Sequence, residues 1–395
     1  MLIKNIRIVD DTQDFIADVL IEGDKIIKVE KIENIDDETL DFINKPYALL
    51  PAFTDLHAHF RDPGFTYKED LLSGSQAALK GGYTAVNLMP NTKPVCSTLE
   101  LVRDVENRAA QIGLIHVNQT LSMTKNLEGK ELSDLKTLKE GEILFVSDDG
   151  KGVADDHLMR DIFEICKEKK ITIMSHAEDP RFSATDMRMA ENSMTFRDLK
   201  LFKEIGGQLH FCHVSTKEAI EAIEDAQKQG HQVSCEVTPH HIFANRRKTG
   251  DYKVNPPFRD DKDIEALIAA MQRGAVAAIA TDHAPHTAED KQNGAPGMIG
   301  LELAFPLCYT KLVRGNKLSL SQLVALMATN PAAMMQLNKG KIKAGYDADL
   351  VIVDLENSYQ ITVSDFVSKS KNTPFIGETV YGKIIHTIRL GKRFK

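Results

Sequence analysis

No run of about 18 apolar residues occurs in the 395-residue sequence, so no membrane-spanning helix is expected. No basic excess occurs either. Lys and Arg number 49 against 57 Asp and Glu, a formal net charge of -8 at pH 7. That balance argues against nucleic acid as the main partner, while a few local cations still suffice for a small anionic substrate. The opening stretch "MLIKNIRIVDDTQDF" alternates apolar and charged residues and reads as a strand, with none of the character of a secretory signal. The five cysteines, Cys96, Cys166, Cys212, Cys235 and Cys308, include no CxxC pair. An odd, dispersed set reads as reduced thiols, each a small buried hydrophobe, in a cytoplasmic protein. Low-complexity segments and short-period repeats are also missing.

What is there is ordinary for a globular chain: 42% hydrophobic and 27% charged residues. The length suits one large domain plus an appendage. Between about residues 48 and 340, eight β-rich runs alternate with amphipathic helical stretches. The runs are "ALLPAFTDLHAHF", "YTAVNLMPN", "GLIHVNQTL", "ILFVSDDG", "ITIMSHAE", "QLHFCHVS", "HQVSCEVTPHHI" and "AVAAIATDHAPH". Repeated strand–helix alternation implies parallel strands with helical crossovers, and eight units predict an α/β fold, a (β/α)8 TIM-like barrel. Residues 1–50 and 341–395 read as strands separated by turns. Neither flank alone can bury a β face, so a small β-sandwich domain built from both termini is expected beside a barrel over 51–340.

The conspicuous polar residues fall late in the predicted strands: His57 and His59, Asn91, Asp148 and Asp149, His176, His213, His240 and His241, then Asp282, His283 and His286. A barrel gathers its active site at the carboxyl ends of its strands, so these side chains converge. Positions i and i+2 of a strand share a face, which turns His57 and His59 towards the same point. Imidazoles with carboxylates suit zinc or a similar borderline metal. His57, His59, His176 and His213, with Asp282 and one carboxylate from the fourth strand, supply enough ligands for two ions. Strand parity does not choose between Asp148 and Asp149, and Lys151 lies beyond the strand end. His116, His157, His210, His231 and His386 take the structural reading, and His283 is expected to point away from Asp282. His240 and His241 are open between lining the site and a packed polar role.

Two such ions would acidify a shared water and polarise an amide carbonyl. Asp282 is the natural group to carry the proton on to the amide nitrogen. The chemistry expected is metal-assisted amide hydrolysis or its reverse. Arg61, two residues past His59, reaches the same mouth and matches a carboxylate. Asn91 and Asn255 offer further hydrogen bonds, though each also stands where a turn before proline would need it. His286 either touches substrate or caps its loop. In "TAEDKQNGAPGMIG" the glycines permit close backbone approach, and the Pro296 and Gly297 backbone suits a planar ring amide.

Taken together, "DLHAHFRDPG", "VNLMPNT", "SDDG", "SHAED", "CHVST", "EVTPHH", "VNPPFR", "TDHAPH", "GAPGMIGLE" and "SKSKNTPFIGETVYGKI" resemble the dihydroorotases of the amidohydrolase superfamily over almost the whole chain. The resemblance implies reversible, zinc-dependent cyclisation of N-carbamoyl-L-aspartate to (S)-dihydroorotate in pyrimidine biosynthesis. It implies two zinc ions, one on His57, His59 and Asp282, the other on His176 and His213, bridged by an aspartate that matches Asp149. It places His59, Phe60, Arg61, Asn91, Asn255, His286, Pro296 and Gly297 at the substrate. The segment 179–208 is shorter than in many relatives, which leaves mouth access and subunit contacts open, as it does association with further copies or with aspartate transcarbamoylase. Two rivals stand beside this reading. Another cyclic amidase, a dihydropyrimidinase or allantoinase, usually bridges its metals with a lysine where this chain has Asp-Asp. A non-catalytic scaffold for aspartate transcarbamoylase typically loses metal ligands, and this chain keeps them.

Overall fold

The computed structural model describes residues 1–33 and 38–394. The amino-terminal flank forms β1 (Leu2–Val9), β2 (Asp14–Glu22), β3 (Lys25–Glu30), β4 (Thr39–Asp41) and β5 (Tyr47–Pro51). Eight strands follow: β6 (Phe53–Ala58), β7 (Tyr83–Leu88), β8 (His116–Gln119), β9 (Phe145–Val146), β10 (Thr172–Ser175), β11 (Gln208–Phe211), β12 (Val233–Val237) and β13 (Ala278–Ile279). The carboxyl-terminal flank adds β14 (Leu350–Asp354), β15 (Tyr359–Gln360), β16 (Thr379–Val380), β17 (Lys383–Arg389) and β18 (Lys392–Phe394).

The eight central strands match the eight β-rich runs. β6–β7–β8 and β9–β10–β11–β12–β13 are parallel sets. Parallel bridges between Leu121 and Val146, and between Ala58 and His283, join the two sets into a closed barrel. Every residue of β6 and β7 is buried, as expected for strands covered on both faces. Leu56, Ala85, Phe145, Met174 and Ala280 pack together as one apolar cluster of these strands.

Helices α1 (Leu71–Lys80), α2 (Leu99–Ile112), α3 (Asp156–Lys169), α4 (Met187–Ile205) and α5 (Lys217–Lys228) cross between strands. Each begins one residue after a side chain that accepts a backbone N–H: Asp70, Thr98, Asp155, Asp186 and Thr216. In α5 the buried Ala219, Ile220, Ile223 and Ala226 follow the helical period.

Strands from both termini form one mixed sheet in the order β18-β17-β14-β5-β1-β2-β3, with β4 beside the start of β1. β5 lies between β14 and β1, so the two chain ends are interleaved. Ile3, Ile8, Val19, Ile26, Leu49, Leu350 and Ile352 share its apolar core. A separate cluster sets Ile361, Phe366 and Phe375 against Met298, Leu303 and Phe258. This brings the stretch 368–372 to the carboxyl ends of the barrel strands.

Glu302 accepts the Val367 N–H at 2.7 Å and the Ser368 N–H at 3.3 Å. Burial pushes its carboxyl up to about 7 against those bonds. The folded chain therefore holds this proton more tightly than the unfolded one between its ordinary value of 4.5 and about 7. Stability contributed at this position falls as pH rises through that window and is constant above it. Glu302→Gln is expected to match the parent Tm near pH 4.5 and to exceed it by a few degrees above pH 7. A Tm difference independent of pH would contradict this.

Candidate metal centre and substrate cavity

β6 carries His57 in its last turn of chain and His59 one residue past its end, with ring centres 5.3 Å apart. His176 directly follows β10, His213 lies two residues past β11, and Asp149 and Asp282 lie three past β9 and β13. Asp149 is the hub. Its Oδ1 is 3.3 Å from His57 Nε2, 3.1 Å from His176 Nδ1 and 3.5 Å from His213 Nε2, and its Oδ2 is 3.6 Å from His59 Nε2. Asp282 Oδ1 lies 3.1 Å from His59 Nε2 and 3.8 Å from His57 Nε2. His176 Nδ1 and His213 Nε2 face each other at 2.9 Å.

The choice between the paired aspartates is visible in their hydrogen bonds. Asp148 turns away, accepting from the backbone of Met123 at 2.7 Å and Thr124 at 3.0 Å, and from the Thr124 hydroxyl. Lys151 is exposed. Backbone geometry sharpens the aim of other residues: Arg61, His213 and Asp282 have φ of 61°, 34° and 46°. Left-handed backbone costs a non-glycine residue about 1–3 kcal/mol in strained cases and clusters at functional sites.

The outer nitrogen of three imidazoles meets an acceptor. His57 Nδ1 is 2.8 Å from Glu236 Oε1, His59 Nδ1 is 2.8 Å from Asn91 Oδ1, and His176 Nε2 is 2.9 Å from Glu178 Oε2. Each acceptor holds the N–H on the far side and turns the other ring nitrogen towards Asp149 or Asp282. His57 Nε2 is buried and lacks a hydrogen-bond partner. His57, His59 and Asp282 form one group with ligand atoms within 4.8 Å of one another, and His57, Asp149 and His213 form another. His57 also groups with Cys212 and Glu236. On that side Nδ1 is engaged by Glu236, and burial pushes the Cys212 thiol up to about 12.

The donor set calls for positive charge. Burial alone would raise Asp149 and Asp282, yet the surrounding histidines hold both below the usual carboxylate range. Burial opposes charge on His57 and His176, but Asp149 with Glu236 or Glu178 pulls both rings up, His176 to about 9. With a cation in place of those protons, the inner imidazole nitrogens and the ionised carboxylates around one point fit divalent metals such as zinc.

A cavity of about 210 Å³ opens beside this cluster. Its walls include His59, Arg61, Asn91, Asp149, His176, His213, Asn255, Asp282, His286, Pro296 and Gly297. Arg61 donates to the Pro285 carbonyl at 3.2 Å and lies 3.2 Å from His286 Nε2. Among the described residues it forms no salt bridge. The amides of Asn91 and Asn255 are already engaged, Asn91 Nδ2 donating to Asp149 at 3.1 Å and Asn255 Nδ2 to Glu178 at 2.8 Å. Gly297 donates its N–H to Lys253 and accepts from Lys291 and Asn372. Its φ is 126°, and a Cβ there would come 2.7 Å from that of Ala284.

Some expected residues lie elsewhere. The Phe60 ring is buried against His283 and Gly74 and does not reach the cavity, because a strand-end neighbour of His59 points to the opposite face. His240 and His241 sit on a short helix, Pro239–Phe243, past the end of β12. His241 is held by Thr238 and the Pro256 carbonyl, a packed polar role. His283 points away from the centre towards Glu69, as expected. His210, read as structural, joins the support of His57: its Nε2 is 3.1 Å from Glu236 Oε2.

Glu236, Glu178 and Asn372 were not singled out in the sequence. Glu236 left one signal, a charge inside the otherwise uncharged "VSCEV". Asn372 Oδ1 accepts from His286 N at 3.0 Å, and its Nδ2 donates to the carbonyls of Ala284 and Gly297. One side chain from the carboxyl-terminal flank thus clamps the cavity wall. A larger cleft of about 710 Å³ lies between Thr185–Arg188 and Arg246–Asp263. It includes none of the converging histidines, and its arginines are paired with acids.

Comparison with known proteins agrees with this layout. The model of the amidohydrolase family matches residues 48–394. A dihydroorotase of Clostridium botulinum is 49% identical over 99% of this chain and 98% of its own length. A dihydroorotase of Elusimicrobium minutum is 38% identical over 98% and 95%. Among solved structures, the L-hydantoinase (dihydropyrimidinase) of Arthrobacter aurescens superposes with a TM-score of 0.88 at 27% identity, covering 99% of this chain and 95% of its own. The sequence relatives and the structural neighbour carry different enzyme names. The sequence relatives are the more similar by far, and the structural neighbour speaks mainly for the barrel.

Proposed function

This chain belongs to the amidohydrolase family, and within it we propose that the chain is a dihydroorotase, closing N-carbamoyl-L-aspartate to (S)-dihydroorotate and reopening the ring. The observation that carries this reading is Arg61. Its guanidinium borders the cavity and has no carboxylate partner among the described residues. Burial lowers it only to about 10, so it stays charged at neutral pH. A part-buried cation calls for an anion. Dihydroorotate brings a carboxylate on its ring, whereas an uncharged ring leaves Arg61 unpaired.

His57, His59 and Asp282 would hold one zinc ion and His176 and His213 a second, with Asp149 a ligand available to both. When bound, the ions supply Lewis acidity to the reacting carbonyl and to a water. Asp282 is held as a carboxylate and serves the proton transfer: in ring opening it takes the proton of the attacking water at Oδ2 and delivers it to the departing amide nitrogen. Ring closure runs the same transfer backwards. Arg61 binds the substrate carboxylate, and Pro296 offers its carbonyl to the ring N–H. Asn91, Glu178 and Glu236 orient the ligand histidines. We place the barrel over 51–340 as the catalytic domain and residues 1–50 with 341–395 as the composite β domain. Five free, buried cysteines support a cytoplasmic setting.

The purified protein is expected to open (S)-dihydroorotate, to lose this activity to a chelator and to regain it with zinc, while dihydrouracil is turned over poorly. Preferential turnover of dihydrouracil would move the chain to the dihydropyrimidinases and remove the role of Arg61.

A further inference from the structure

His286 stands between two cations. Arg61 Nη2 is 3.2 Å from its Nε2, and Lys68 Nζ is 3.3 Å from its Nδ1. Both cations are donors only. Burial, then the charges of Arg61 and Lys68, push the imidazole down to about 3, so the ring is neutral at physiological pH. A neutral ring has one N–H and one bare nitrogen. It can therefore accept from one cation only and meets the other with a hydrogen.

Lys68 is the better anchored of the two. Its ammonium is 3.3 Å from Asp290 Oδ1 and 5.6 Å from the ring centres of both Phe65 and Tyr67. Its side chain is 13% exposed, and it does not line the cavity. Its carbonyl accepts from Ser370 Oγ at 2.8 Å. Asp290 in turn is fixed by Thr287 at the start of a short helix. Arg61 has a single carbonyl tether, to Pro285, and faces the cavity. Asp290 Oδ2 is 4.0 Å from His286 Nδ1, beyond hydrogen-bond reach, and claims no N–H there.

We propose that Lys68 is a positioning residue for substrate selection: it donates to His286 Nδ1 and fixes the ring as the Nε2–H tautomer, whose N–H stands beside Arg61 at the cavity wall. Arg61 and His286 then offer neighbouring donors. An incoming carboxylate accepts from both and relieves their mutual opposition, which an uncharged ring does far less well. This inference rests on the dihydroorotase reading and adds to it the reason the site prefers a charged ring.

The test is histidine-selective 15N labelling of the full-length, zinc-loaded protein, with long-range 1H–15N correlation and His286 assigned by loss of its signals in His286→Gln. The parent is expected to show the Nε2–H tautomer. Lys68→Met, which keeps the chain length, should shift the ring towards Nδ1–H. It should also raise KM for dihydroorotate about tenfold, or about 1.4 kcal/mol, with kcat within about twofold. Lys68→Arg should restore both. An Nδ1–H ring in the parent, or a tautomer unchanged in Lys68→Met, would overturn the proposal, as would a shifted tautomer with KM unmoved. The spectrum is independent of turnover. A parent with the Nε2–H ring that opens no dihydroorotate would support the Lys68 assignment and remove the functional reading instead.

Discussion

Asp282→Asn is expected to lower kcat for dihydroorotate opening by about 10³–10⁴. The asparagine keeps the shape and an oxygen towards His59 and His57, 3.1 and 3.8 Å away in the parent, but it cannot accept and return a proton. Zinc content measured alongside separates two causes. A variant that retains most of its metal and still loses kcat has lost the proton carrier. One that binds a single ion has lost a ligand as well. With both ions bound and kcat within tenfold of the parent, Asp282 would be only a ligand and the proton transfer would belong to another group.

Arg61→Met should act in two directions at once. Its kcat/KM for dihydroorotate is expected to fall about 10³-fold, about 4 kcal/mol, because the carboxylate of the ring then enters without its bidentate partner. Activity on dihydrouracil, low in the parent, should be unchanged, so selectivity collapses while the chemistry persists. Stability should move the other way. Removing a part-buried cation that has no acid partner is expected to leave Tm unchanged or raise it by a few degrees. Equal losses on both substrates would show that Arg61 holds the architecture of the mouth and does not select the anion.

The barrel was legible because its strands announce themselves twice, by apolar runs and by polar residues at their ends. His57 and His59 follow strand parity, and the same parity accounts for Phe60, one step out of phase and packed on His283. Parity failed for Asp148 and Asp149. β9 ends at Val146, and the chain is already turning towards Gly150, with φ of 84°, when it reaches them. The supports of the centre were harder still. Glu178 looks like any carboxylate in a loop until His176 and Asn255 are seen on either side of it. His210 was read as structural, since nothing nearby in the sequence shows that Glu236 lies between it and His57. Asn372 is 86 residues from His286, a separation at which no local pattern carries information.

That last contact bears on how the protein is made. Translation delivers every proposed metal ligand by residue 282, and a growing chain folds from its amino end as it emerges. Yet β5, paired to β1 on one edge, has its other edge open until β14 is made, and Gln13 reaches a carbonyl acceptor, Ile342, only 329 residues later. The cavity wall is not clamped until Asn372 has left the ribosome. A message cut short before that codon would yield a chain with all its proposed metal ligands and an unbraced mouth. Competence is therefore conferred late in synthesis, and a premature stop in the final stretch should be as damaging as one in the barrel.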